Sequence, residues 1–113
     1  MKTGIAILVV SESSLQLSLT IAKHLPGSNL YSSFESIFTD TIPSIATFLK
    51  EHFNRFEAFV FVGSLGICVR SIAPFITDKH TDPAIVNIDS TGKYIISVLS
   101  GHIGGANSLT KQI

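Results

Sequence analysis

Short unbroken apolar runs alternate along the chain with stretches in which apolar residues recur every three or four positions. The runs from Gly4 to Val10 and from Glu57 to Val62 are rich in Val, Ile and Phe. Continuous runs of that kind are expected of strands buried on both faces of a parallel sheet. Between them, Leu15, Leu19, Ala22 and Leu25 recur at helical spacing until Pro26-Gly27 stops the pattern, which predicts a helix of about three turns. Residues 28–32 are short and weakly patterned, the mark of an edge strand. Asp40 or Thr41 is placed to cap a second helix with Pro43 in its first turn. Ile42, Ile45, Ala46, Leu49 and Phe53 then fall on its apolar face, with Thr47, Lys50 and Glu51 towards water. After Val62, the turn Gly63-Ser64-Leu65-Gly66 leads into a third helical stretch to about Ala73, ended by Pro74.

In the last quarter, the apolar runs Ala84 to Ile88 and Tyr94 to Leu99 flank Ser90-Thr91-Gly92, a hairpin pattern. The second strand empties into the glycine-rich stretch from Ser100 to Asn107, and Ala106, Leu109 and Ile113 begin another helix. The order of elements predicts an α/β fold: an open, mostly parallel sheet with helices on both faces and a β-hairpin near the C-terminus. Residues 1–113 read as a single domain. The last helical pattern reaches Ile113 without a stop signal, so the domain is expected to be one of several in a longer protein. Ligands of such sheets collect at the carboxyl ends of the parallel strands. For the turns at Gly63 and His102 to share one site, the hairpin's second strand must run with the sheet and its first against it. The polar connector Pro74 to Pro83, expected to cross the surface, is long enough to permit this.

Composition narrows the functional classes. The formal net charge is zero and no basic cluster appears, so the footprint of a nucleic-acid binder is missing. The longest apolar run, Ile5 to Val10, is far shorter than a membrane span. Met1-Lys2-Thr3 does not lead into a signal peptide, and the lone Cys68 has no partner for an internal disulfide. The expectation is a cytoplasmic protein with neither nucleic acid nor membrane as a partner. His24, His52 and His80 show no metal-ligand spacing with one another or with Cys68, so no protein-bound metal is expected. The glycines at Gly63 and Gly66 match neither a Walker loop nor a dinucleotide fingerprint.

Three motifs occur in order: Gly63-x-Leu-Gly66-Ile-x-Val-Arg70-x-Ile-Ala-Pro74, then Asp78-Lys79-x-x-Asp82-Pro83-Ala-x-Val, then Ile-Ser97-x-Leu-Ser100-Gly-His102-x-Gly-Gly-Ala-Asn107. Together they resemble the amino-terminal region of the cobalamin biosynthesis protein CbiG family, from Phe59 to Asn107. The resemblance implies a role in the anaerobic route to cobalamin (vitamin B12). It also implies the cobalt-precorrin-5A hydrolase reaction, in which a lactone on the tetrapyrrole is opened and a two-carbon fragment leaves as acetaldehyde. No cofactor is implied, because the cobalt is carried by the substrate. The implied partners are the cobalt-precorrin and further CbiG domains or other cobalamin-pathway enzymes.

Against that reaction, His102 is the candidate acid/base, because it titrates near neutrality in a glycine-rich turn. The backbone N–H groups of Gly104, Gly105 and Ala106 are candidates to face an oxyanion. The alternative for His102 is a residue that holds its own turn. Asp78 is the candidate base for fragment loss; Asp82, before Pro83, reads first as a turn device. Arg70 suits bidentate carboxylate binding or, equally, a structural salt bridge. Gly63 and Gly66 suit close backbone approach to the substrate. Asn107 and Ser100 read most simply as turn and cap residues, with Asn107 also able to donate to substrate. Cys68 reads as a small buried residue. A second functional reading stays open beside the hydrolase: a non-catalytic module that binds a tetrapyrrole or docks on partner domains.

Overall fold

The computed structural model describes residues 2–101 and 105–113. Its elements follow the chain as β1 (Ile5–Val9), a 3-10 turn (Glu12–Ser14), α1 (Leu15–His24), β2 (Asn29–Ser32), β3 (Asp40–Thr41), α2 (Ile45–His52), β4 (Ala58–Val62), α3 (Leu65–Ile72), a second 3-10 turn (Ala73–Phe75), β5 (Ala84–Ile88), β6 (Ile95–Leu99) and α4 (Ala106–Gln112). The six strands form one sheet in the order β3-β2-β1-β4-β5-β6. All neighbours are parallel except β5 and β6. This is the predicted mostly parallel α/β sheet with its C-terminal hairpin.

The apolar runs give buried strands because both sheet faces are covered. In β4 the alternation sends Phe59 and Phe61 to one face and Ala58, Val60 and Val62 to the other, as successive side chains of a strand must. The first face packs against α2 and α3 through Phe48, Leu49, Phe53, Cys68 and Ile72. The second packs against α1 and α4 through Ile21, Leu25, Ala106 and Leu109.

Three expectations are corrected. Residues 28–32 do not form an edge: β2 pairs with β1 on one side and β3 on the other. Asp40 and Thr41 do not cap α2. They are drawn into pairing with Tyr31 and Ser32, and the Ile42 N–H continues this by donating to the Ser32 carbonyl at 2.8 Å. The helix starts later, where Ser44 Oγ accepts from the Thr47 N–H at 3.0 Å, leaving Pro43 outside it. Most important, the hairpin is oriented the other way from what a site shared by Gly63 and His102 requires. The α3 crossover returns the chain to the amino end of the sheet, so Ala84 lies beside Ala58 and β5 runs parallel to β4. β6 therefore runs against the sheet and delivers Ser100 to the amino end.

The connector is not wholly superficial. Its residues 76–81 are exposed, but Asp82 and Pro83 are buried. The Asp82 carboxylate accepts from the Thr77 N–H at 2.9 Å, from Thr77 Oγ1 at 3.0 Å and from the Asp78 N–H at 3.1 Å. It closes the loop on itself just before β5, the turn role its position before proline suggests.

Candidate functional site

The chain leaves β1 for β2 on one side while β4 lies on the other. The carboxyl ends of β1 and β4 thus flank the switch point, where open sheets bind ligands. Gly63 stands there. Its N–H donates to the Ile88 carbonyl at 2.9 Å, and a Cβ on it would lie 2.8 Å from the Val10 Cβ, so only glycine lets β4 end against β1. The buried Asn87 of β5 donates Nδ2 to the Gly63 carbonyl at 3.2 Å. Ser64 caps α3, its Oγ accepting from the Ile67 N–H at 3.2 Å. The N–H groups of Leu65 and Gly66 remain open, as first-turn amides do.

Arg70 completes this end. Helical side chains lean towards the helix N-terminus, and the Arg70 guanidinium lies over Gly66, 3.8 Å from where a Cβ would stand. It is exposed, and among the described residues no carboxylate pairs with it. Across the switch point, Ser11 Oγ lies 2.9 Å from Ser13 Oγ and 3.3 Å from Ser14 Oγ. The result is a rim of hydroxyls, open amides and one guanidinium, a set that donates to carboxylate oxygens. The serine rim and Asn87 were not singled out from sequence. The available signals were the Ser11–Ser14 cluster directly after a buried strand and the one polar residue inside the Ala84–Ile88 run.

Asp78, Gly105 and Asn107 lie at the other end of the sheet. Ser100 Oγ donates to the Asp82 carbonyl at 3.1 Å, tying the glycine-rich stretch to the Asp78–Asp82 loop. β4, with five residues, separates this end from Gly63 by about 16 Å at roughly 3.3 Å per residue. Asp78 is exposed, and its Oδ1 accepts from the His80 N–H at 2.9 Å. The Ala106 N–H donates to the Ser100 carbonyl at 3.1 Å and the Asn107 N–H to the Gly101 carbonyl at 2.9 Å. The Ala106 amide is thus spent on the turn, which removes it from the expected oxyanion-binding group. Gly105 precedes α4 with φ 87°, and its left-handed backbone suits glycine. The Asn107 side chain folds over Gly101, its Oδ1 2.7 Å from where a Cβ would stand. His102 and Gly104 lie outside the described residues.

Two clefts open at this amino end. One of about 350 Å³ is floored by Phe53 and Phe75 and rimmed by Lys50, Asn54, Arg55 and Thr77. The other, about 180 Å³, lies beside Gly105, Glu57, Ser108 and Gln112. Among the described residues no group of three or more His, Cys, Asp or Glu is arranged to hold a metal ion. No described helix is long and apolar enough to cross a membrane. Cys68 is fully buried beneath α3, and burial pushes its thiol up to about 12, so it is protonated and not a nucleophile at neutral pH.

The sheet order and the donor-lined switch point define an α/β domain of the doubly wound class with a rim suited to anions. Residues 47–113 match the family described as Cobalamin synthesis G N-terminal, and the chain belongs to that family. The cobalt-precorrin-5A hydrolase of Salmonella typhimurium is 48% identical over 64 residues, 57% of this chain and 18% of its own length. The one from Priestia megaterium is 50% identical over 70 residues, 62% of this chain and 19% of its own length. The chain thus spans less than a fifth of the curated relatives it matches. A crystal structure of a cobalamin biosynthesis protein G homolog from Sulfolobus solfataricus superposes with a TM-score of 0.75 at 27% identity, covering 96% of this chain and 32% of that one. The first half of the chain, outside the quoted motifs, therefore shares the fold as well.

Proposed function

We propose that this domain serves the cobalt-precorrin-5A hydrolase reaction of its relatives by holding the macrocycle through peripheral carboxylates at the start of α3. The observation that carries this reading is the Arg70 guanidinium, unpaired among the described residues, lying over Gly66 beside the open amides of Leu65 and Gly66. A tetrapyrrole bearing many carboxylates offers such a rim what it lacks, an acceptor for a bidentate guanidinium. Gly63 and Gly66 let the ligand approach the backbone. The cobalt arrives inside the substrate.

A second reading assigns the chemistry to the amino end and is favoured by the Ser100–Asp82 bond, which ties Ser100, two positions before His102, to the loop that carries Asp78. There, water adds to the lactone carbonyl, the ring C–O bond breaks, and His102 protonates the leaving alkoxide. Asp78 then takes the hydroxyl proton, a C–C bond breaks, acetaldehyde leaves, and the electron pair stays with the macrocycle.

One experiment separates the two. Cobalt-precorrin-5A is added anaerobically to the chain, binding is followed by visible absorbance, and acetaldehyde is assayed. The first reading expects binding that Arg70→Gln weakens about tenfold or more, the value of a charged hydrogen bond, and that His102→Ala leaves intact. The second expects acetaldehyde release that His102→Ala abolishes without unfolding the protein. Neither binding nor release by the chain would overturn both.

A further inference from the structure

The sheet has two edges, and they are treated differently. The β3 edge is two residues long, carries Asp40 and is polar, the usual protection against pairing with another chain. The β6 edge has none of this. From Tyr94 to Leu99 it carries no charged residue and no proline. Among the described residues, no backbone hydrogen bond reaches β6 from the side away from β5. Long, apolar, unguarded edges are pairing surfaces.

The face beside this edge is only partly covered: Val98 and Leu99 pack against the core beneath α2 and α3, while Ile96 is 39% exposed. α4 packs on one side of β6, where Ile95 joins the core with Ala106 and Leu109. On the other side α2 and α3 cover the sheet from β2 to β5. Ile96, paired with Asn87, belongs to that second face. Tyr94 stands directly before the strand, its N–H donating to the Asp89 carboxylate. α3 buries Cys68 and Ile72, and the right-handed winding turns Leu65 and Val69, one turn apart, onto the flank away from α2 and towards β6. Leu65 is 39% exposed, Val69 47%, Tyr94 66% and Ile96 39%. Four large apolar side chains exposed on the α3 and β6 flank, beside an unguarded strand edge, exceed the scattered exposure a solvent-facing surface ordinarily shows.

We propose that the trough between α3 and β6, with the β6 edge, is the docking surface for the polypeptide that makes up the rest of the family's full-length chains. That polypeptide would add a strand to β6 and cover Leu65, Val69, Tyr94 and Ile96. The relatives identify the occupant: the stretches they share with this chain are 18% and 19% of their length, and nearly the whole fold is 32% of the Sulfolobus homolog, so in them its surface is continuous with much more protein. The surface bears no charge pattern that would select a polyanion or a membrane. The inference needs family membership only and does not depend on the hydrolase reading.

The test uses the intact Salmonella typhimurium relative with a benzophenone side chain placed at the position matching Ile96, and a control at the position matching Lys50 on the far side of α2. Irradiation is expected to join the Ile96 position to peptides beyond the region that matches this chain, and the control not to. Crosslinks from the Ile96 position to a second copy, or no crosslink above the control, would overturn the proposal. In this chain alone, Ile96→Lys is expected to leave the thermal midpoint unchanged and independent of protein concentration. A concentration-dependent midpoint that the substitution lowers would assign the edge to self-association instead.

Discussion

Two glycines with equally close neighbours show how the surroundings decide a residue's worth. A Cβ at Gly63 would meet the Val10 Cβ at 2.8 Å, and one at Gly101 would meet the Asn107 Oδ1 at 2.7 Å. Val10 directly follows β1 and is tied to β4 by its N–H bond to the Val62 carbonyl at 3.3 Å, so nothing can give without moving β1 against β4. Asn107 is exposed, and its amide can rotate aside. Gly63→Ala should therefore lose about 1–3 kcal/mol, the usual range for overpacking, while Gly101→Ala loses well under 1 kcal/mol. Urea midpoints of the two variants measure this directly; equal losses would show that Asn107 is as fixed as Val10. Cys68 makes a second prediction. Its thiol ordinarily ionises at 9.0, and burial raises this to about 12. Below pH 9 the thiol is protonated in both states and this contribution is complete. Between 9 and about 12 the unfolded chain gives up the proton first, so stability falls as pH rises. Wild type should lose more stability than Cys68→Ala between pH 7 and pH 10. Parallel pH profiles would show that the thiol does not titrate differently in the two states.

At the scale of elements, the connector between α3 and β5 carries more structural weight than its polarity suggests. Asp82 gathers the Thr77 N–H, the Thr77 hydroxyl and the Asp78 N–H around one buried carboxylate. Ser100 is hung from its backbone carbonyl. Removing the buried carboxylate takes these hydrogen bonds from the loop, so Asp82→Ala should cost about 1–3 kcal/mol, and Asp82→Asn, which keeps an acceptor, less. Asp78→Ala loses a turn contact at the surface and should stay within about 1 kcal/mol of wild type. Chemical denaturation of the three variants tests the order; an equal loss at Asp78 and Asp82 would place the support of the loop elsewhere. The hairpin turn is held similarly. The Asp89 carboxylate accepts from the Thr91 hydroxyl and from the Tyr94 N–H, and these bonds, the Thr91 one foremost, lower its pKa.

Over the whole molecule, the two ends of the sheet carry different chemistry. The carboxyl end offers serine hydroxyls, open amides and Arg70; the amino end offers Asp78, Ser100, Asn107 and the cleft over Phe53 and Phe75. A separation of about 16 Å forbids one small reacting group from touching both. The anaerobic binding and release assay therefore acts as a test of which end engages the macrocycle. The stretch matched in the curated relatives is under a fifth of their length, and the proposed docking surface uses the β6 edge that the described residues leave unpaired. The same surface takes in the exposed Leu65, Val69, Tyr94 and Ile96.

Much of this fold was legible in the sequence because the signals are local. Continuous apolar runs marked β1, β4 and β5, helical spacing marked α1 and α3, and Ser90-Thr91-Gly92 lay between two apolar runs that became a hairpin. The family was legible from three motifs in order. The cap of α2 was missed because Asp40 and Thr41 have the right side chains for a cap, and only the pairing of β3 with β2 keeps their backbone extended. Asn87 was missed because a single polar residue in a strand has no periodicity; its partner, the Gly63 carbonyl, is 24 positions away. The direction of the hairpin lay outside any local pattern, since an apolar run reads alike whichever way its strand points. Tertiary structure decided it: the α3 crossover returned the chain to the amino end, β5 paired parallel to β4, and β6 had to run back. Sequence alone thus determined most of the strands, the helices and the family to which they belong; β3 was the strand it missed. Only the folded sheet determined which candidate residues share an end, because strand direction is settled by the path of the whole chain.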